Sequence, residues 1–136
     1  QMAIECLRAK YYLEDIGVHA EVIDPRSLSP LDMETIELSV KKTGKLITVD
    51  NAWMTCGAGA EIISQLVLRN NVTNYEIFRM GFEFVPCPTT PSLEEHFYPD
   101  AKKIALRAHA MLFRNGNPWT PKTKLDIEEI EFKGPF

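Results

Sequence analysis

The chain predicts an α/β fold, a three-layer α/β/α sandwich around a mostly parallel sheet. Two observations carry this. Amphipathic helical stripes alternate with short β-branched runs in the order helix, strand, helix, strand, helix, strand, helix, the pattern of parallel strands joined by right-handed crossovers. The length of 136 residues, 45% hydrophobic and 25% charged, matches one domain with one core.

Helix one is read from apolar residues at Met2, Cys6, Ala9, Leu13 and Ile16, whose spacing makes one stripe, with Gly17 as its stop. His19-Ala20-Glu21-Val22-Ile23-Asp24 then alternates as a short strand that Pro25 closes. Ser29-Pro30-Leu31-Asp32 is a helix start in which Ser29 caps, Pro30 takes the first position and Asp32 puts an acid in the first turn. Met33, Ile36 and Val40 give that helix its buried stripe, and Lys41, Lys42 and Gly44 its end.

Lys45-Leu46-Ile47-Thr48-Val49-Asp50 is the next strand. After a loop, Gly57-Ala58-Gly59-Ala60-Glu61 opens a helix with Ile62, Ile63, Leu66 and Val67, which Asn70-Asn71 ends. Residues 75–80 form a third strand stopped by Gly81, and Pro86, Pro88 and Pro91 mark a loop with a short capped helix at Ser92-Leu93-Glu94-Glu95. Asp100 caps the last helix, where Ala101, Ile104, Ala105, Ala108, Met111 and Leu112 fill the helical template. Asn115-Gly116-Asn117-Pro118 breaks the pattern, so the domain is expected over residues 1–113. The tail, 114–136, is expected to run over a surface on Trp119, Leu125, Ile127, Ile130 and Phe132. Opening on a helix with few strands to follow, the sequence leads to the expectation that the domain has one or two further strands upstream.

Fifteen Lys and Arg against nineteen Asp and Glu give a formal charge of -4, and the basic residues do not cluster, which argues against nucleic acid or anionic lipid as partners. No apolar run reaches the ~20 residues of a membrane-spanning helix, and no signal or transit segment is visible, so the expectation is a soluble, intracellular chain. Cys6, Cys56 and Cys87 are odd in number and widely spaced, which reads as free thiols. His19, His96 and His109 include no pair at the spacing of a helical metal site.

Three features could carry function. Gly57-Ala58-Gly59 follows a strand and opens a helix, the setting for a phosphate on helix N-terminal amides, but Ile62 stands where the third glycine belongs, and close packing of helix on sheet accounts for both glycines. Cys56, just before that turn, could be a thiol nucleophile with His96 as its base, or a buried small thiol. Trp53 and Met54 lie in a loop at the carboxyl end of a strand, where α/β sheets place contacts, and serve either another subunit or the chain's own core. With Gly57, Gly59, Ile62 and Leu66 they make up the candidate interface; no residue is assigned a catalytic, cofactor-binding or metal-binding role.

The sequence also resembles a known family. The run Ala20-Glu21-Val22-Ile23-Asp24-Pro25-Arg26-Ser27-Leu28-Ser29-Pro30-Leu31-Asp32 is followed by Ser39-Val40-Lys41-Lys42-Thr43-Gly44, Val49-Asp50-Asn51-Ala52-Trp53, Gly57-Ala58-Gly59-Ala60-Glu61-Ile62, and Pro91-Ser92-Leu93-Glu94 with Tyr98-Pro99-Asp100-Ala101. Together they resemble the transketolase-like C-terminal domain of the beta subunit of thiamine-diphosphate-dependent 2-oxo acid dehydrogenases, of the pyruvate, branched-chain or acetoin type. The likeness covers residues 1 to 113.

The resemblance implies an enzyme that decarboxylates a 2-oxo acid and passes the acyl group to a lipoyl arm. It implies thiamine diphosphate and Mg in the assembled enzyme, held outside this segment, and a subunit-assembly and docking domain that supplies subunit contacts and part of the docking surface for the acyltransferase. The implied partners are an alpha subunit, the N-terminal beta region, a second beta subunit and the lipoyl acyltransferase core; the implied location is cytoplasmic, or the mitochondrial matrix in a eukaryote. Asn51 stands where the family commonly has an acid, a departure at a charged docking contact, and the tail beyond Phe113 has no family counterpart.

Overall fold

The computed structural model of the chain describes residues 1–70, 74–114 and 118–121. Its elements are α1 (Met2–Glu14), α2 (Met33–Thr43), β1 (Lys45–Trp53), α3 (Ala58–Asn70), β2 (Glu76–Phe82), α4 (Pro91–Phe97) and α5 (Ala101–Leu112). β1 and β2 pair in parallel, from Lys45 opposite Glu76 to Val49 opposite Met80, with an irregularity before Trp53 meets Phe82.

The pleat sends alternate side chains to two cores, so the sheet is the middle of three layers. On one face Val49 and Met80 pack against Ala9, Tyr12 and Leu13 of α1 and Ile104 and Ala105 of α5. On the other, Leu46 and Ile77 pack against Met33, Ile36 and Val40 of α2 and Leu66 of α3. Arg107 of α5 lays its guanidinium 3.6 Å from the centroid of the Phe78 ring. Glu5 joins α1 to α5, accepting from the Ala101 N–H at 3.0 Å and from Arg8 at 2.7 Å; an acid at the start of α5 also suits its dipole.

Local chemistry sets the helix boundaries. Asp100 accepts from the Lys103 N–H at 2.8 Å and starts α5 as expected. α2 starts later than its Ser29-Pro30 signal: Asp32 is its cap, accepting from the Thr35 N–H at 3.1 Å and the Thr35 hydroxyl at 2.7 Å, so the capping role falls to Asp32 and Ser29 lies outside the helix. Gly44 ends α2 at φ 69°, in the left-handed region that favours glycine.

Three further expectations are corrected. Residues 19–24 have no regular secondary structure, make no ladder with β1 and are not a strand. They are held by α2, where Ser39 donates to Glu21 at 2.6 Å and Lys42 also pairs with Glu21. Gly81 lies within β2 instead of ending it, because a Cβ there would stand 2.6 Å from the Ala52 carbonyl oxygen and 3.0 Å from Met54 Cγ. Leu112, placed on the buried stripe, is exposed, and the stripe ends at Met111. His109 packs its ring against Phe113 and Trp119, with centroids 4.7 and 5.0 Å away. Trp119 packs on the first core; Leu125, Ile127, Ile130 and Phe132 lie outside the described residues.

Glu76 ties the strand pair together at its amino end, pairing with Lys45 across the ladder and with Arg114 at 3.1 Å. The Lys45 and then the Arg114 hydrogen bonds hold its carboxyl below the ordinary 4.5. A lowered folded-state value adds stability above the ordinary one and loses it as pH falls through the folded one. Glu76→Gln is therefore expected to flatten the acid side of the melting-temperature curve below pH 4.5, with a small change at neutral pH because the group is near solvent. Melts from pH 7 to pH 2 check this; a parallel acid limb in the variant contradicts it.

Candidate functional site

β1 ends in Trp53, beside the end of β2, and the chain then turns through residues 54–57 into α3. This carboxyl end of the sheet gathers rings from four segments. Trp53 meets Phe82, Phe84 and Phe97 edge-on, with centroids 6.0, 5.7 and 6.1 Å away. Phe82 stacks on Phe97 at 4.8 Å, and Tyr98 stands edge-on to both. The inner part of the cluster is dry, since Phe97 is 3% exposed, while Trp53 is 42% and Phe84 84% exposed, with Val85 beside it also open. The cluster is thus anchored on a buried ring and open on its outer side.

Met54 lies against Gly81, and its carbonyl accepts from Arg79 at 3.0 Å, so the loop is fixed to β2. Cys56 has φ 60°, in the left-handed region, and closes the turn into α3. Gly57 and Gly59 are required by close approach: a Cβ on Gly57 would strike the Trp53 carbonyl oxygen, and one on Gly59 would lie 2.6 Å from Thr48 Oγ1. Their neighbours are thus the chain's own strand and loop.

Leu66, placed in the candidate interface, is 0% exposed and lies in the second core with Val40 and Met33, so it is unavailable to another subunit. Ile62 is half-buried against the same core. Spacing marks an apolar helix face without saying what covers it, and here α2 and β1 do.

Sequence reasoning did not see Phe82, Phe84, Phe97 and Tyr98 as part of this site. The available signal was the density of aromatic residues between 82 and 98, close to the prolines. Cys56 is exposed, which corrects its reading as a buried thiol, and it shares no hydrogen bond with the exposed His96, so the structure does not bring that pair together. Cys6 is different: burial, with the adjacent Glu5 carboxylate, pushes its thiol up to about 11, which makes it a poor nucleophile. Among the described residues no group of three or more His, Cys, Asp and Glu could hold a metal ion, and no helix is long and apolar enough to cross a membrane.

The helices on both faces of a parallel strand pair define an α/β domain with an aromatic cluster at the carboxyl end of its sheet. Residues 1–104 match the family model described as transketolase, C-terminal domain, and the chain belongs to that family. It is 40% identical over 101 residues to the human mitochondrial pyruvate dehydrogenase E1 component subunit beta, covering 73% of this chain and 28% of that protein. The Saccharomyces cerevisiae counterpart is 42% identical over 105 residues, 75% of this chain and 27% of that one. The Bacillus subtilis acetoin:2,6-dichlorophenolindophenol oxidoreductase subunit beta is 36% identical over 99 residues, 72% of this chain and 29% of that one. The chain thus spans under a third of the length of these relatives.

Proposed function

We propose that this chain is the subunit-assembly and docking domain of a thiamine-diphosphate-dependent 2-oxo acid dehydrogenase. The observation that carries the reading is the aromatic patch around Trp53 and Phe84, exposed in a domain whose relatives are named as beta subunits. In this reading Trp53, Met54 and Phe84 contact another chain of the enzyme. Gly57 and Gly59 set the loop's path and Ile62 supports it from beneath. The partners are an alpha subunit, the N-terminal beta region and a second beta subunit, with the lipoyl acyltransferase core docking on the assembly. The location is the mitochondrial matrix in a eukaryote and the cytoplasm otherwise.

Thiamine diphosphate and Mg belong to the assembled enzyme. The described residues do not fit that pair of groups, because they offer no acidic ligand cluster for the cation. No step of the reaction is therefore assigned to this chain, whose work is to hold other chains in place. Calorimetric titration of thiamine diphosphate with magnesium into the chain alone is expected to show no binding, and micromolar binding would overturn this division of labour.

A further inference from the structure

Between β2 and α4 the chain runs as an irregular strap, Phe84-Val85-Pro86-Cys87-Pro88. Four residues in a row, 84–87, are exposed, with Phe84 at 84% and Val85 at 52%. The strap is pinned at both ends. Phe84 stands edge-on to Trp53 at 5.7 Å, and Cys87 Sγ lies 3.4 Å from the Tyr98 hydroxyl. Two prolines stiffen what lies between, since each fixes its own φ and drives the residue before it, here Val85 and Cys87, toward extended backbone.

Its hydrogen-bonding groups are lopsided. The Val85 N–H is spent on the Glu83 carbonyl at 2.8 Å, and Pro86 and Pro88 have none, which leaves Phe84 and Cys87 as the backbone donors of the strap. Those two are an odd number of residues apart and point to opposite edges of an extended chain, so neither edge offers the alternate N–H groups by which a strand joins a sheet. Acceptors are plentiful. The carbonyls of Phe84, Val85, Pro86 and Cys87 accept no hydrogen bond among the described residues.

A stiff apolar segment, rich in open acceptors and poor in donors, suits a groove of aromatic rings: ring faces take the valine and the proline, and a tyrosine O–H or tryptophan N–H donates to the carbonyls. Little ordering entropy is left to lose on binding, because the pins and the prolines have already removed it.

We propose that residues 85–88 dock in a groove on another chain of the enzyme, lined by aromatic side chains whose hydroxyl or indole N–H groups donate to the carbonyls of the strap. The proposal rests on the assembly reading and deepens it: Trp53 and Phe84 mark where the contact lies, and the strap specifies what the partner offers there.

The test is made on the enzyme assembled with its alpha chain, with subunit dissociation followed by sedimentation. Val85→Asp and Pro86→Asp are each expected to weaken association about tenfold or more, whereas Thr89→Asp, the same charge just beyond the strap, assembles like the parent. All three positions are exposed, so each variant should melt within about 2 °C of the parent. Val85→p-benzoylphenylalanine, photolysed in the assembled enzyme, should cross-link to another chain in a stretch holding tyrosine or tryptophan. Cross-links confined to the strap's own chain, or to a stretch without aromatic residues, overturn the proposal. So does equal loss of assembly in Thr89→Asp, which shows a charge effect in place of a groove. If Phe84→Ala disturbs assembly while Val85→Asp and Pro86→Asp do not, the strap proposal falls and the assembly reading stands; if none of the three does, both fall.

Discussion

Gly59→Val is expected to lower the melting temperature of this chain by roughly 3–12 °C, on the basis of about 1–3 kcal/mol for an overpacked core site and about 3–4 °C per kcal/mol for a chain of this size. The new Cβ would stand 2.6 Å from Thr48 Oγ1 and 3.1 Å from Thr48 Cβ, and Thr48 is itself 8% exposed in the middle of β1. Either the first turn of α3 lifts from the sheet or Thr48 leaves its place. Adding Thr48→Ala should restore part of the loss, because it removes the nearest atom and leaves the 3.1 Å contact. Melts repeated with ATP or NAD separate packing from ligand binding, since a ligand that binds the folded state raises the midpoint. An unchanged midpoint in Gly59→Val, or a nucleotide-dependent rise in the parent chain, contradicts the packing role.

Much of this fold was legible because its signals are local. The Asp100 cap, the Gly44 stop and the stripes of α2 and α5 each depend on residues within a turn or two of one another. β1 and β2 announce themselves through β-branched and aromatic runs. What failed to show depends on residues far apart in the chain. Residues 19–24 have the composition of a strand, but a strand is completed by its neighbour, and among the described residues no backbone hydrogen bond joins them to β1. Leu66 and Ile62 sit on the apolar face of α3, and the approach of α2 decides that Leu66 is core. The Gly81 position is set by Ala52 and Met54 across the pair.

The site was half legible for the same reason. Trp53 could be placed at a strand's carboxyl end from sequence alone, whereas its partners arrive from β2, the loop after it and α4. Sequence also left open whether Trp53 serves its own chain or another. The structure shows that its ring has a packed side and an open side, so it can do both.

Trp53→Ala accordingly carries two expected effects. Losing three edge-on contacts removes up to about 0.5–1.5 kcal/mol per aromatic pair, less than additively, and lowers the melting temperature of the chain. Losing a half-exposed tryptophan from a subunit contact costs about 2 kcal/mol or more of association, a shift of over tenfold in the dissociation constant. Phe84 separates the two effects, because its ring is 84% exposed and contributes little to folding. Sedimentation of the enzyme assembled with its alpha chain, comparing parent, Trp53→Ala and Phe84→Ala, is therefore the most direct measurement. The assembly role predicts that both variants move toward smaller species, with Phe84→Ala melting within about 1 °C of the parent as a surface change does. Normal assembly of both variants, with Trp53→Ala merely melting lower, would contradict it and leave the aromatic cluster as an anchor of its own chain.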